Sequence, residues 1–376
     1  MNLTINRVDL GGRRNIKKKI LQRNPKMPIL SHLCMNVSLK GLTLAATDLE
    51  LGLARTLEHS SVIEEELLIP VEPVLEFVRE LKTDTVQWTT DNHFTLTISA
   101  DKAKVKVKGL PSNEFPAIPP LPTPWIYSLP TTDLDRILTE TLPVIGEEDA
   151  RYIMNSIRLQ ISGNAAPVFE GVGTDGHRLV VTQRETGTWL STDHNERVIL
   201  VPKKTGKTIR TLVSITDAEQ IAISLSKSLV AFKIGPYQLT SRLMEGNFPS
   251  YLPALDNMPI TRFTIAKAAL EDPLRRVSVI NGREGKLITL IVGTNYLTLK
   301  ASNTDMGEAI ETIDIPTEGT DSPFITGFNT EYLLDALETM PGQQCRIQMN
   351  DPLSPCLLTT PECPGYKHIV MPLKTP

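Results

Sequence analysis

An apolar run closed by Thr-Asp occurs three times at intervals of one third of the chain, and this constrains the fold more than any other feature. "LAATDLELGL" spans 44–53, "GVGTDGHRLVV" spans 171–181, and a weaker echo, "LKASNTDMGEA", spans 299–309. The pairs are Thr47-Asp48, Thr174-Asp175 and Thr304-Asp305, with aspartates 127 and 130 residues apart. Solenoid repeats run about 20–50 residues, so this period is that of a whole domain. A second landmark keeps it: "GLPSNEFPAIPPLP" (109–122) answers "RLMEGNFPSYLPAL" (242–255), with Pro116 and Pro249 133 residues apart. The tail "GYKHIVMPLKTP" holds the same place in the last third. Proline cannot donate to a β-ladder, so these segments read as exits, and the domains are expected at 1–125, 126–255 and 256–376.

Each third alternates at period two in stretches such as "VQWTTDNHFTLTIS" and "SLVAFKIGPYQLTSRL", the signature of half-buried strands. Two helical patterns interrupt them per third, near 7–22 and 71–82, 132–143 and 202–213, 265–278 and 328–339. Val74, Leu75, Val78 and Leu81 show the three-and-four spacing, as do Tyr332, Leu333 and Leu337. The fold class is therefore α+β: three repeated domains, each a strand-rich layer with two helices on one face.

The formal net charge of −4 argues against a nucleic-acid binder, but its distribution reverses that. Residues 7–26 hold Arg7, Arg13, Arg14, Lys17, Lys18, Lys19, Arg23 and Lys26 against one acid, Asp9. Lys203, Lys204, Lys207 and Arg210 follow without an acid, and Lys267, Arg275 and Arg276 mark a helix of the last third. Arg79 adds a cation to the 71–82 pattern. Cations gathered on helices attract phosphate without reading sequence; the plain alternative is a solvated helix face. No helix-turn-helix, finger or aromatic-rich sheet points to base readout. No run of 18 apolar residues implies a membrane span, and the N-terminus lacks a signal-peptide pattern. Cys34, Cys345, Cys356 and Cys363 show no C-x-x-C spacing, which fits free thiols in a cytoplasmic protein.

Asp175 and His177 invite a catalytic reading, alone or with Asp48. No G-x-S-x-G or H-E-x-x-H accompanies them, the six histidines are scattered, and the other echoes lack the His. The expectation is turn chemistry, the aspartate accepting backbone hydrogen bonds between strands. No phosphate loop is present, and no catalytic residue, metal or cofactor is expected.

The order and spacing of several stretches resemble the bacterial DNA polymerase III beta subunit, the replicative sliding clamp. They are "NPKMPILSHL" (24–33), "LTLAATDLELGL" (42–53), "LPSNEFPAIP" (110–119), "ARYIMNSIRL" (150–159), "GTDGHRLVV" (173–181), "RLMEGNFPSY" (242–251), "GFNTEYLLDAL" (327–337) and "VMPL" (370–373). The resemblance covers essentially the whole chain. It implies the DNA clamp fold, a head-to-tail homodimeric ring with helices inside and antiparallel sheets outside, closed around duplex DNA. It implies a processivity factor without its own catalytic site, partnered by a polymerase catalytic subunit and a clamp loader. Charge then assigns Arg13, Arg14, Lys17, Lys18, Arg23, Arg79, Lys203, Lys204, Lys207 and Arg210 to DNA, and the motif match adds Arg151 and Tyr152.

The family's partner-peptide pocket maps onto Met154, Thr174, Gly176, His177, Arg178, Leu179, Pro249, Asn329, Tyr332, Leu353, Val370, Met371, Pro372 and Leu373. These supply apolar walls with a few polar groups, suited to a short peptide. Departures at Gly285, Leu252-Pro253-Ala254 and Lys374 bear on peptide preference, and those at Asn24 and Ile153 bear on the DNA contacts. For the dimer seam, the strand "KAKVKVKG" (102–109) is expected to pair with the other copy's last third, Val105 and Val107 meeting Val279 and Ile280. Two other readings compete: a DNA-binding scaffold that closes no ring, and a metal-dependent hydrolase using Asp48, Asp175 and His177.

Overall fold

The computed structural model describes residues 2–6, 27–39, 41–57, 64–118, 121–146, 152–255, 261–282, 286–319 and 322–374. The first two echoes build one and the same turn. Asp48 Oδ1 accepts the N–H of Glu50 (3.0 Å) and of Leu51 (2.7 Å), and Thr47 Oγ1 donates to the Leu51 carbonyl (2.7 Å). Asp175 Oδ1 accepts from His177 (2.9 Å) and Arg178 (3.0 Å), and Thr174 Oγ1 donates to the Arg178 carbonyl (2.7 Å). Short polar side chains suit this role because they reach their own backbone two residues on. In the last third the acceptor is Asn303, whose Oδ1 takes the N–H of Asp305 (2.9 Å) and Met306 (3.1 Å). The third echo is thus misplaced by two residues when read as Thr304-Asp305. The counterpart of Asp48 is Asn303, because the turn needs a side-chain carbonyl oxygen and not a charge. The central turn position is left-handed in the first two, with Leu49 at φ 79° and Gly176 at φ 87°.

Four antiparallel sheets follow among the described residues, and the chain gathers into two units. The first unit holds residues 1–135, 187–194 and 204–243. Its 10-stranded sheet joins the first third to the second where Leu51–Leu57 pairs with Tyr237–Arg242, Leu51 opposite Ser241. Its 4-stranded sheet ends on the strand Ala103–Lys108, whose one neighbour is Thr95–Ala100. Leu42, Leu67, Trp88, Leu96 and Ile98 fill the core between these layers, and Val71, Val74 and Val78 of helix α1 (Val71–Glu80) pack there.

The second unit holds residues 136–186, 195–203 and 244–376. Its 8-stranded sheet joins the second third to the last where Arg178–Glu185 pairs with Tyr366–Val370, Arg178 opposite Val370. Its 4-stranded sheet has Gly307–Asp314 at one edge and Phe324–Asn329 at the other. The remaining α-helices among the described residues are α2 (Thr131–Thr141), α3 (Lys203–Val213), the single turn α4 (Leu252–Leu255), α5 (Lys267–Ser278) and α6 (Thr330–Thr339). The glycines of "GVGT" let the sheet approach α2. A Cβ at Gly171 would sit 2.4 Å from Ile137 Cγ2, and one at Gly173 would sit 2.8 Å from the Thr141 carbonyl.

The two joints obey one rule. The strand that leaves the Asx-type turn of one third pairs with the last strand of the next third, 51–57 with 237–242 and 178–185 with 366–370. The strand leaving the third such turn, 307–314, and the last long strand of the first third, 103–108, both remain sheet edges among the described residues.

Candidate functional site

The Asp175 turn delivers Arg178 to the start of its strand. The guanidinium spreads over three acceptors: Nε donates to Asp175 Oδ2 (3.0 Å), Nη1 to Asp335 Oδ2 (2.7 Å) and Nη2 to the Pro143 carbonyl (2.9 Å). Its carbon lies 4.2 Å from the centroid of the Tyr332 ring, within cation–π range. Burial raises the Tyr332 phenol above its ordinary pKa, Asp175 adds to this, and the Arg178 cation opposes it. Asn329 caps α6 by accepting the Glu331 N–H (3.0 Å), which fixes the helix that carries Tyr332 and Asp335.

The C-terminal strand and tail lie alongside. Leu179 is opposite Ile369; beyond the strand, the Met371 N–H donates to the His177 carbonyl (2.9 Å) and the Leu373 N–H to the Gly327 carbonyl (2.7 Å). Leu179, Val172, Val181 and Ile369 form a buried apolar cluster, with Phe248, Tyr251 and Leu357 packed against it. A small cleft beside this cluster is lined by Ala254, Met349, Pro355, Leu357 and Ile369. Met371 (42%), Leu373 (40%) and Leu353 (76%) remain exposed apolar side chains, Met371 being the one bonded to the His177 backbone.

Among the expected pocket residues, Gly176, His177, Arg178, Leu179, Met371, Pro372 and Leu373 come together through the 178–370 pairing and the tail bonds. Tyr332 joins them through Arg178. Pro249 and Leu353 are exposed, Met154 is buried on the turn Tyr152–Asn155, and the Thr174 hydroxyl is committed to the turn. Val370 requires correction. It is fully buried in the main core of the second unit, because neighbouring strand residues face opposite ways. Ile369 faces the Leu179 cluster instead. Ile369, Leu357, Phe248, Tyr251 and Asp335 were missed by sequence reasoning; the period-two alternation of "YKHIV" could have found Ile369 once the pairing register was known.

Arg13, Arg14, Lys17, Lys18, Arg23 and Arg151 lie outside the described residues. Of the rest, Arg79 and Lys207 are exposed, as is Tyr152, whose hydroxyl donates to the Glu245 carbonyl (3.1 Å). Lys204 pairs with Asp48, and Arg210 Nε donates to Asp135 Oδ1 (3.0 Å). Lys203 is half-buried, and its ammonium donates to the Ile145 carbonyl (2.7 Å). Lys267 does the same at the Met340 carbonyl (2.8 Å), and burial lowers its pKa. Arg275 and Arg276 pair with Glu271 and Glu311. The expected run of basic helices therefore narrows, among the described residues, to α3. α1 carries Glu72, Glu76 and Glu80 beside Arg79, and α6 carries Glu331, Asp335 and Glu338 without a cation.

The expected seam also changes. Val107 is 7% exposed inside its own sheet's core, and Val105 packs against that core. What the 103–108 edge presents is Lys104, Lys106 and Lys108, all exposed. Val279 is 74% exposed beyond α5, while Ile280 packs partly on the core of the second unit. The 307–314 edge presents Glu308, Ile310, Thr312 and Asp314. Asp48 and Asp175, the carboxylates of the hydrolase reading, are engaged by their own turns. Among the described residues no helix is long and apolar enough to cross a membrane.

The chain matches three consecutive domain signatures of one family, the DNA polymerase III beta subunit: the N-terminal domain over 1–119, the central domain over 128–250 and the C-terminal domain over 256–374. It is 26% identical over 377 residues to a beta sliding clamp of Caulobacter vibrioides and 27% identical over 376 residues to one of Pseudomonas putida, covering all of each. A crystal structure of a sliding clamp from Pseudomonas aeruginosa bound to griselimycin superposes with a TM-score of 0.90 at 24% identity, covering both chains completely. With all three domain signatures met in order, the chain belongs to the DNA polymerase III beta subunit family.

Proposed function

We propose that the protein is a DNA sliding clamp. Two copies join head to tail into a closed ring around duplex DNA and hold the replicative polymerase there, without a catalytic site of their own. A clamp loader opens the ring. The domains are taken as 1–125, 126–255 and 256–376, and the site of action as the cytoplasm. Partners dock by a short peptide in the groove formed by Leu179, Ile369, Tyr332, Met371 and Leu373. Arg79, Tyr152, Lys204, Lys207 and Arg210, with the basic segment holding Arg13, Arg14, Lys17, Lys18 and Arg23 and with Arg151, face the phosphates.

One observation carries the ring: the joint rule is satisfied twice within the chain and leaves one complementary pair of edges over, 103–108 and 307–314. Unpaired edges are templates for pairing, and a head-to-tail contact closes when its rotation permits. The first joint sets the strand residue three after the turn acceptor opposite the residue eight before the Phe-Pro proline, Leu51 opposite Ser241. The same offsets in the unmade joint place Met306 opposite Lys108 and Glu308 opposite Lys106, outward face to outward face. Opposite charges so placed favour the pairing.

The test is topological. The protein is loaded on nicked circular duplex with a compatible clamp loader and ATP, and the circle is then cut once. Loss of protein on cutting, with retention on the intact circle, is expected of a ring. Equal retention on both would replace the clamp reading with a scaffold that grips DNA directly.

A further inference from the structure

We propose that Asp335 is a positioning residue of the groove: acting through Arg178, it fixes the Tyr332 ring as the aromatic wall that an apolar ligand side chain meets. This rests on the groove reading above. Arg178 is held by three acceptors from separate segments, Asp175 on its own turn, Pro143 in the short turn after α2, and Asp335 on α6. The Arg178 side chain is only 9% exposed, so these acceptors take the place of water. A planar guanidinium with rigidly directed donors is oriented by acceptors placed around it. Of the three, Asp335 alone comes from the helix that carries Tyr332. Tyr332 and Asp335 are three residues apart, hence on one face of α6. The carboxylate therefore pins the cation at a fixed height over the ring, 4.2 Å from its centroid. The Asp175 and Pro143 bonds hold Arg178 to its own strand and to the segment behind it, and neither fixes it to α6.

Removing Asp335 leaves Arg178 tethered but frees it from the ring. Two measurements separate positioning from a simple charge effect. The first is the Tyr332 phenol titration, followed by NMR on ring-labelled protein and assigned with Tyr332→Phe. The Arg178 cation over the ring favours phenolate. If Asp335 holds that cation in place, Asp335→Ala raises the Tyr332 pKa. If Asp335 acts only as a nearby negative charge, its loss lowers it. The second is calorimetric binding of griselimycin to the full-length protein. Asp335→Ala is expected to weaken it about fivefold, the size of a lost cation–π alignment. Adding Asp335→Ala to Arg178→Met should weaken it no further, since the residue acts through Arg178. A Tyr332 pKa that falls or stays, or additive losses in the double variant, overturns the positioning role. Failure of the wild-type protein to bind griselimycin counts against the groove itself, and the tyrosine titration then decides the positioning separately.

Discussion

Replacing His368 with leucine should remove a pH dependence that the fold imposes on the strand Tyr366–Val370. His368 is fully buried on Tyr366–Val370; its Nδ1 lies 3.1 Å from the Tyr366 hydroxyl, and its Nε2 has no partner among the described residues. Burial, with the Arg178 charge adding to it, holds the imidazole pKa down to about 3. An opened strand exposes an ordinary histidine near 6.5. Below 6.5 the opened state takes up a proton that the closed state refuses until about 3, so the stabilisation is full above 6.5 and is lost as pH falls through that window. Between pH 7 and pH 5 proton uptake favours opening by about 25-fold, or about 1.9 kcal/mol. The assay is amide hydrogen exchange by mass spectrometry over 178–185 and 366–370, at both pH values after correction for intrinsic rates. The wild-type opening free energy should fall by that amount relative to His368→Leu. A gap between the two proteins that is the same at both pH values would show that His368 is not held neutral, and the argument from burial would fail.

Leu49 occupies a left-handed position that Gly176 fills in the sister turn, so Leu49→Gly should stabilise the first unit by about 0.5–1 kcal/mol in urea unfolding; a loss would mean the exposed leucine packs usefully. Val107→Glu should cost several kcal/mol and unfold the first unit, because it buries an unpaired charge. A folded monomer with the wild-type urea midpoint would instead put Val107 at the seam. Lys106→Glu and Glu308→Lys should each weaken the dimer in sedimentation, and the two together should restore it; additive losses would refute the proposed register. Lys207→Glu with Arg210→Glu should lower the salt slope of DNA association by about 2, near one for each phosphate no longer neutralised, and an unchanged slope would remove α3 from the DNA face.

The repeat was legible in the sequence because its chemistry is local. A turn that folds a side-chain oxygen onto the next two or three amides writes the same letters wherever it occurs, as at Thr47-Asp48 and Thr174-Asp175. The helices 71–80, 131–141, 203–213, 267–278 and 330–339 were legible for the same reason, since burial of one face leaves a three-and-four rhythm. The family resemblance rested on such local stretches, and the three domain signatures bear it out. Local signals also misled: Thr304-Asp305 repeats the letters, but Asn303 makes the turn.

What the tertiary structure decided is everything that depends on register and on partners distant in the chain. Val370 and Ile369 are equally apolar, and only the pairing of Leu179 with Ile369 says which one joins the Leu179 cluster. Lys203 and Lys207 read alike as cations, yet one is spent on the Ile145 carbonyl while the other is exposed. Val107 reads as an edge residue but is core, whereas Lys104, Lys106 and Lys108, alternating with the valines, face outward. Arg178 reads as a groove residue, but Asp335, 157 positions away, gives its guanidinium a direction. A sequence records which side chains are present and how they alternate; which of them share a face across strands is fixed only when the sheet registers are closed, because a shift of one residue turns every side chain to the other face.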